Sequence, residues 1–515
     1  MPLFRSSTPS APVQPRSWLR RHKVIATLVV VAAVAAGLAV WQPWKPCDTA
    51  MTTVEPSSNC VGLNVENTSF GPNDAVGDLR QRVAEHNAGV TEPNSVTVVV
   101  LDNMTPDPRL ASIGRSSVRH GVEGALTAAR RANAELVVGG TSPRVKLLLA
   151  NYGTTVEEAE EAARQIQAAR EREHIVAVVG LGQSLQHTRT AASRLSDAGI
   201  AVVSGMASAD NMNKHVDDDK KDLDKFFRIT PTNIDAARAG AAYLRERGAD
   251  KVMLVEDTNE TDIYARTLAR AFKDAYRDRE FSTVRFTSLS GSEGSPRADF
   301  MAGEFARVYT RICLEKPRYL YFAGRGIDLD PLLKTMSQNG SCSGVGDMDV
   351  VTSDDATNIV NRPLPEFDNR QVRVFYTSVA TMGQWANEPG QEENQASYGS
   401  FESQFVETGL DGHDGLLDGY AMSVHDAFLV ATKGAREVPD VNRLYTKVAD
   451  KIKAIDCVEP FGGATGKIAY QNEQAGQGNP VGKAMPIMRL EANGRPVQES
   501  LVWPSGQPFG PQSCR

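Results

Sequence analysis

Residues 175–208 read IVAVVGLGQSLQHTRTAASRLSDAGIAVVSGMAS, and two β-branched runs, IVAVVG at 175 and IAVVSG at 200, flank one stretch of helix length at 185–198. Gly199 stands where a helix C-cap hands over to the next strand. Strand, helix and strand in that order make a parallel β-α-β unit, and strands covered on both faces read as continuous apolar runs. The same texture continues upstream, with VTVVVL at 96, VKLLLA at 145 and helical patterns at 116–135 and 155–171. One α/β unit is expected here.

Downstream, VDDDKKDLDK from Val216 to Lys225 interrupts the alternation. It reads as a solvated loop; the lysines that follow Asp217, Asp218 and Asp219 argue against a metal site there. After FFRITPTN at 226, alternation resumes with helices at 233–247, 262–276, 299–315 and from 328, and strands VMLVED at 252, TVRFTSL at 283, YLYFAG at 319, DVVTSD at 349 and VRVFYTS at 372. That is a second α/β unit. Three further helical stretches, 394–408, 416–434 and 441–455, bring too few strands for a third sheet and are expected to fold back on the first unit. The closing segment GGATGKIAYQNEQAGQGNPVGKAMPIMRLEANGRPV is a glycine-punctuated strand, turn and strand.

The 515-residue chain is 41% hydrophobic and 23% charged, enough apolar material for sizeable cores, which excludes disorder throughout. Its net charge of −7 carries no long basic block after the first 25 residues, which argues against nucleic acid as a partner. Val24 to Val40 is an uncharged apolar run of about 25 Å as a helix, with Arg16, Arg20, Arg21 and Lys23 before it and Trp41 and Trp44 after it. It reads as a single-pass anchor with a cytoplasmic basic arm (1–23) or, alternatively, as a cleaved secretory signal; both export the body. Residues 42–94, rich in Pro, Ser, Asn and Thr, read as an extracellular stalk with a small cap. All six cysteines lie beyond the apolar run, and their clustering favours disulfides Cys47 with Cys60, Cys313 with Cys342 and Cys457 with Cys514; zinc is the minor alternative.

No catalytic constellation stands out: GxSxG, HExxH, CxxC and a GxGxxG after a strand are all missing from the sequence. Gly462 to Lys467, GGATGK, has a phosphate-loop look but the wrong glycine spacing, and Ile468 where a magnesium-binding hydroxyl belongs. No enzyme, cofactor or metal is expected. Ligands of open α/β sheets settle at strand carboxyl ends. Those ends are GLGQS at 180–184, SGMAS at 204–208, Tyr264 opening the helix after strand 252, and Asp354 with Asp355. His187 reads as a ligand contact or as a packing histidine. Taken singly, such a serine is an N-cap and such an aspartate a turn residue.

IGRSSVRHGVEGALTAARRAN (113–133), IVAVVGLGQS, AGIAVVSGMAS, FFRITPTNIDAARAGAAYLRERGADKVMLVED (226–257) and the closing GATGKIAYQNEQAG follow an order that resembles the type I periplasmic binding proteins. The likeness runs from about Val96 to Val497 and is to the leucine/isoleucine/valine-binding branch, the solute receptors of ABC importers. The resemblance implies two Rossmann-like lobes that close like a flytrap, joined by three hinge crossovers: 95–228 with 378–460, and 229–377 with 461–515. It implies hinges near Thr230–Asn233 and Tyr376–Ser378, an amino acid or similar small polar ligand, and an ABC permease as partner. By position, Ala207 and Ser208 match the contacts to the ligand α-carboxylate, Tyr264 the aromatic cover, and Asp354 the acid that pairs with the α-ammonium. The family serine after the third strand falls on His187 or, with the loop shifted, on Ser184. The loop LDNMTPDPRLASIG (101–114) is longer than the family pattern, and Asn151 with Tyr152 replaces an acidic strand end. A sensor ectodomain that serves no permease is the competing reading.

Overall fold

The computed structural model describes residues 47–514 apart from 56, 92, 108–112, 136, 290–296, 339–343, 369, 409–410 and 471–476. The basic arm and the expected membrane segment therefore lie outside the described residues. Among those that are described, no helix is long and apolar enough to cross a membrane.

The first half of the chain runs β1 (Met51–Thr53), β2 (Cys60–Asn64), α1 (Gly77–Ala88), β3 (Val96–Asp102), α2 (Arg115–Ala134), β4 (Val145–Asn151), α3 (Val156–Ala169), β5 (Ile175–Gly180), α4 (Gln186–Asp197), β6 (Ala201–Ser204), a hairpin of β7 (Lys214–His215) with β8 (Asp218–Asp222), and β9 (Phe226–Arg228). Seven of these strands form one sheet in the order β1-β2-β4-β3-β5-β6-β9, parallel from β4 to β9. Every residue of β3 is buried. Val96, Val98 and Val100 pack with Ala125 and Leu126 of α2, whereas Val99 and Leu101 pack with Ala162 and Ile166 of α3. Burial on both faces is what removes polar alternation from these strands.

The second sheet takes β10 (Lys251–Asp257), β11 (Glu280–Phe286), β12 (Tyr319–Ala323), β13 (Met348–Thr352), β14 (Val372–Thr377), β17 (Met485–Leu490) and β18 (Pro496–Val502), in the order β11-β10-β12-β13-β14-β17-β18. Helices α5 (Asn233–Glu246), α6 (Ile263–Ala275), α7 (Arg297–Glu315) and α8 (Gly326–Gln338) belong to it. After β14 the chain returns through α9 (Glu392–Thr408), α10 (Tyr420–Arg436) and the short α11 (Val448–Lys453) to the first sheet. There α10 lies so close to α2 that a Cβ on Gly124 would stand 2.0 Å from the Ala421 carbonyl oxygen. The result is two Rossmann-like α/β lobes, as expected. The chain passes between them after β9, after β14 and before β17. At the last passage Gly478, with φ +71, accepts the Arg228 N–H at 3.0 Å, and a side chain there would strike Phe226.

Four expectations need correction. The described part of the expected stalk, from Cys47 on, is not free: β2 pairs antiparallel with β4 and β1 antiparallel with β2, and Leu79 and Val83 of α1 join the core of the first lobe. Segment 216–225 is largely hairpin rather than loop, with Arg189 bonded to Asp219; among the described residues no His, Cys, Asp and Glu group could hold a metal. Helix 441–455 shrinks to α11 behind a single 3-10 turn. Finally, β15 (Phe461–Gly463) and β16 (Gly466–Ile468) form a hairpin whose Phe461 and Ile468 sit in the first lobe's core, so the crossing comes after 470 and not at 461.

Disulfides join Cys47 to Cys60 and Cys457 to Cys514, as the clustering suggests; Cys313 is also disulfide-bonded, and Cys342 lies outside the described residues. Replacing both Cys47 and Cys60 by alanine is expected to lower the unfolding free energy by about 3 kcal/mol, from the entropy of the loop they close. Urea titrations with an unchanged midpoint would refute this.

Candidate ligand site between the sheets

In each sheet the strand order reverses beside one strand, β3 in the first and β10 in the second. Crevices open at such reversals, beyond the strand carboxyl ends. Asp102 ends β3, and Gly182 to Ser184 follow β5; in the other lobe Asp257 ends β10, Arg325 follows β12, and Asp354 and Asp355 follow β13. A capping box between Thr232 and Asp235 starts α5 at the first crossover, with mutual N–H bonds of 3.1 and 3.3 Å.

The two lobes meet directly through these ends. Ser208 Oγ donates to Asp354 Oδ2 at 2.9 Å, and the Ser208 carbonyl accepts the Asn233 N–H at 2.8 Å. The Ser184 carbonyl accepts the Tyr264 N–H at 3.3 Å and Arg325 Nη2 at 2.9 Å, while Ser184 Oγ accepts the Ala209 N–H at 3.0 Å. Tyr264 is buried, its hydroxyl accepting the Asp355 N–H at 3.3 Å. Ala207 differs from its expected role: its N–H is spent on Ser204 Oγ at 3.0 Å and its carbonyl on Arg228 Nη1 at 3.0 Å. His187 is half-buried with its ring 5.4 Å from that of Tyr152. Desolvation and the Arg325 charge push its pKa down to about 4, so it is neutral near pH 7.

Arg325, which the sequence reading passed over, holds the centre. It is 1% exposed; Nε and Nη2 fork onto Asp262 at 2.7 and 2.9 Å, Nη1 reaches Asp355 at 3.0 Å, and the guanidinium lies 4.5 Å from the Tyr264 ring centre. Asp262 also caps α6 through the Ala265 N–H at 3.1 Å. Burial raises Asp354 to about 6, against the Ser353 hydroxyl that lowers it, with Asp355 adding repulsion. Asp102 is likewise pushed up to about 6 by burial. The one signal in the sequence was a charged residue at or just past a strand end, as in AGRG at 323–326 and LD at 101–102.

Those crevices, placed between two doubly wound lobes crossed three times by the chain, are the arrangement of a known fold. The fold is that of the type I periplasmic binding proteins. An ABC transporter substrate-binding protein from Desulfitobacterium hafniense in complex with Leu is 16% identical at TM-score 0.57, over 78% of this chain and 99% of that one. A leucine binding protein from Thermotoga maritima is 16% identical at TM-score 0.56, over 80% and 100%. A solute binding protein of an ABC transporter from Rhodopseudomonas palustris HaA2, in complex with p-hydroxybenzoic acid, is 14% identical at TM-score 0.57, over 81% and 98%. No family model matches the chain, and no curated protein does. The phosphate-loop look of GGATGK dissolves in this fold. It is the turn between β15 and β16, where Asp426 accepts the Ala464 and Thr465 N–H groups at 2.9 and 2.8 Å, occupying the amides a phosphate would need.

Proposed function

We propose that this chain is an extracytoplasmic solute-binding protein of an ABC importer, binding a small polar ligand between its lobes by hinge closure and performing no covalent chemistry. The observation that supports this most directly is the contact of the two sets of strand ends, with Ser208 of one lobe bonded to Asp354 of the other at 2.9 Å. Polar groups on opposite lobes that reach each other at hydrogen-bond distance can equally reach a small molecule inserted between them. A ligand touching both lobes favours the closed form by its differential contacts, and the crossovers near Thr230–Asn233 and Tyr376–Ser378 absorb the rotation. Export rests on Val24 to Val40 and on the disulfides Cys47–Cys60 and Cys457–Cys514. The partner is a permease that accepts the closed form.

Native mass spectrometry of the full chain isolated from its own cells is expected to show one bound small molecule, lost on unfolding. Adding that molecule back should reduce the radius of gyration in small-angle scattering, and Asp354→Ala should weaken its binding at least tenfold. A chain with no mass excess and no ligand-dependent change in scattering would overturn the reading.

A further inference from the structure

We infer that the ligand of this cleft is a small organic cation, an amine or guanidine without a carboxylate. The inference rests on the proposed binding role and narrows its substrate class.

Four buried aspartates face the interlobe space, Asp102, Asp262, Asp354 and Asp355, against one buried guanidinium, Arg325. That cation is saturated by Asp262 and Asp355. Among the described residues Asp102 is left with neutral donors, the Asn103 N–H at 2.7 Å and the Tyr152 hydroxyl at 3.2 Å, and Asp354 with the hydroxyls of Ser353 and Ser208 at 2.7 and 2.9 Å. The nearby imidazoles bring no relief: His187 is kept neutral beside Arg325, and His120 is held by Asp418 at 2.8 Å. Tyr420 is an independent pointer. It is 2% exposed, and among the described residues its hydroxyl has no hydrogen-bond partner. Burial first, then the charges of Asp355, Asp102 and Asp418, raise its pKa, so this hydroxyl lies within the fields of acids from both lobes. A cation's N–H groups suit all three: two carboxylates without a counter-charge and a phenol oxygen free to accept.

An anionic ligand group finds the opposite. The Ala207 N–H and the Ser208 hydroxyl are already donated, to Ser204 and Asp354, and among the described residues the cation at these strand ends, Arg325, is held by Asp262 and Asp355. Unpaired buried acids repel it. The Arg325 guanidinium over the Tyr264 ring shows how this lining houses a positive charge.

Isothermal titration of the full chain at pH 7.5 tests this with putrescine, agmatine, L-leucine and 4-hydroxybenzoate. Putrescine or agmatine is expected to bind at one site. Asp102→Asn, which keeps the side-chain shape, and Ser208→Ala, which spares every acid, are each expected to weaken the amine, the first at least tenfold. If L-leucine or 4-hydroxybenzoate binds, is weakened by Ser208→Ala and the amines give no heat, the cationic class is overturned while the cleft reading stands. If the amines bind with affinity unmoved by either variant, binding lies elsewhere and both fail. No heat from either amine at millimolar concentration overturns the class.

Discussion

Arg325→Met is expected to lower the free energy of unfolding by about 3–5 kcal/mol, the usual result of removing one partner from a buried ion pair. The side chain is 1% exposed, and its loss leaves two carboxylates, Asp262 and Asp355, inside the protein without their cation. Apolar volume is nearly conserved, so the loss is electrostatic. Arg325→Lys is expected to recover only part of it, because a point-like ammonium cannot fork onto Asp262 while also reaching Asp355 and the Ser184 carbonyl. Adding Asp262→Asn and Asp355→Asn to Arg325→Met should restore most of the stability, since neutral amides need no counter-charge. Urea denaturation of the four proteins at pH 7 measures all of this. Equal stability of Arg325→Met and the parent would mean that the aspartates are protonated or solvated in the folded protein, against the geometry described. The Ser184 carbonyl belongs to the other lobe, so the same substitution should also expand the molecule in small-angle scattering.

The lobes were legible in the sequence because the strands at 96, 175 and 200 are buried on both faces, and no solvent-facing side interrupts their apolar runs. The two edge strands were not. MTT at 51 and CVGLN at 60 are three and five residues long and contain Thr, Gly and Asn, so nothing in their composition separates them from a stalk. They are strands because the exposed edge of β4 offers its backbone groups for pairing. In the site, Ser208, Tyr264 and Asp354 were reachable as strand-end residues, and the structure does bring them to the interface between lobes. Arg325 was not reachable in that way. An arginine after a strand normally points to solvent, and this one is buried only because acids 63 residues before it and 30 residues after it converge on it. Such pairing is a property of the folded chain. Ala207 shows the converse: its position matched a ligand-binding amide, while its N–H had a nearer acceptor in Ser204.

The largest pH effect is expected from Asp102 and Asp354. Each is raised from 3.8 to about 6 in the folded protein, first by desolvation. A carboxyl raised in this direction binds more protons folded than unfolded between about pH 4 and 6, so folding stability falls as pH rises through that window and stays lower above it. Two pKa units amount to about 3 kcal/mol per group, or about 6 kcal/mol for the pair. Neither carboxyl perturbs the other, so their contributions should add. Asp411 works in the opposite sense: the His120 hydrogen bond, with Arg119 nearby, holds it at about 2, which gives stability that is lost only as pH falls below 3.8. That contribution is common to parent and variant and cancels in their difference. Asp102→Asn and Asp354→Asn are therefore each expected to gain about 3 kcal/mol relative to the parent between pH 4 and pH 7, measured by urea denaturation at half-unit steps. Parallel stability curves would show that both acids ionise in the folded protein as readily as in the unfolded chain. A bound organic cation should flatten the parent's curve in the same window, because its positive charge opposes the desolvation that raises both pKa values.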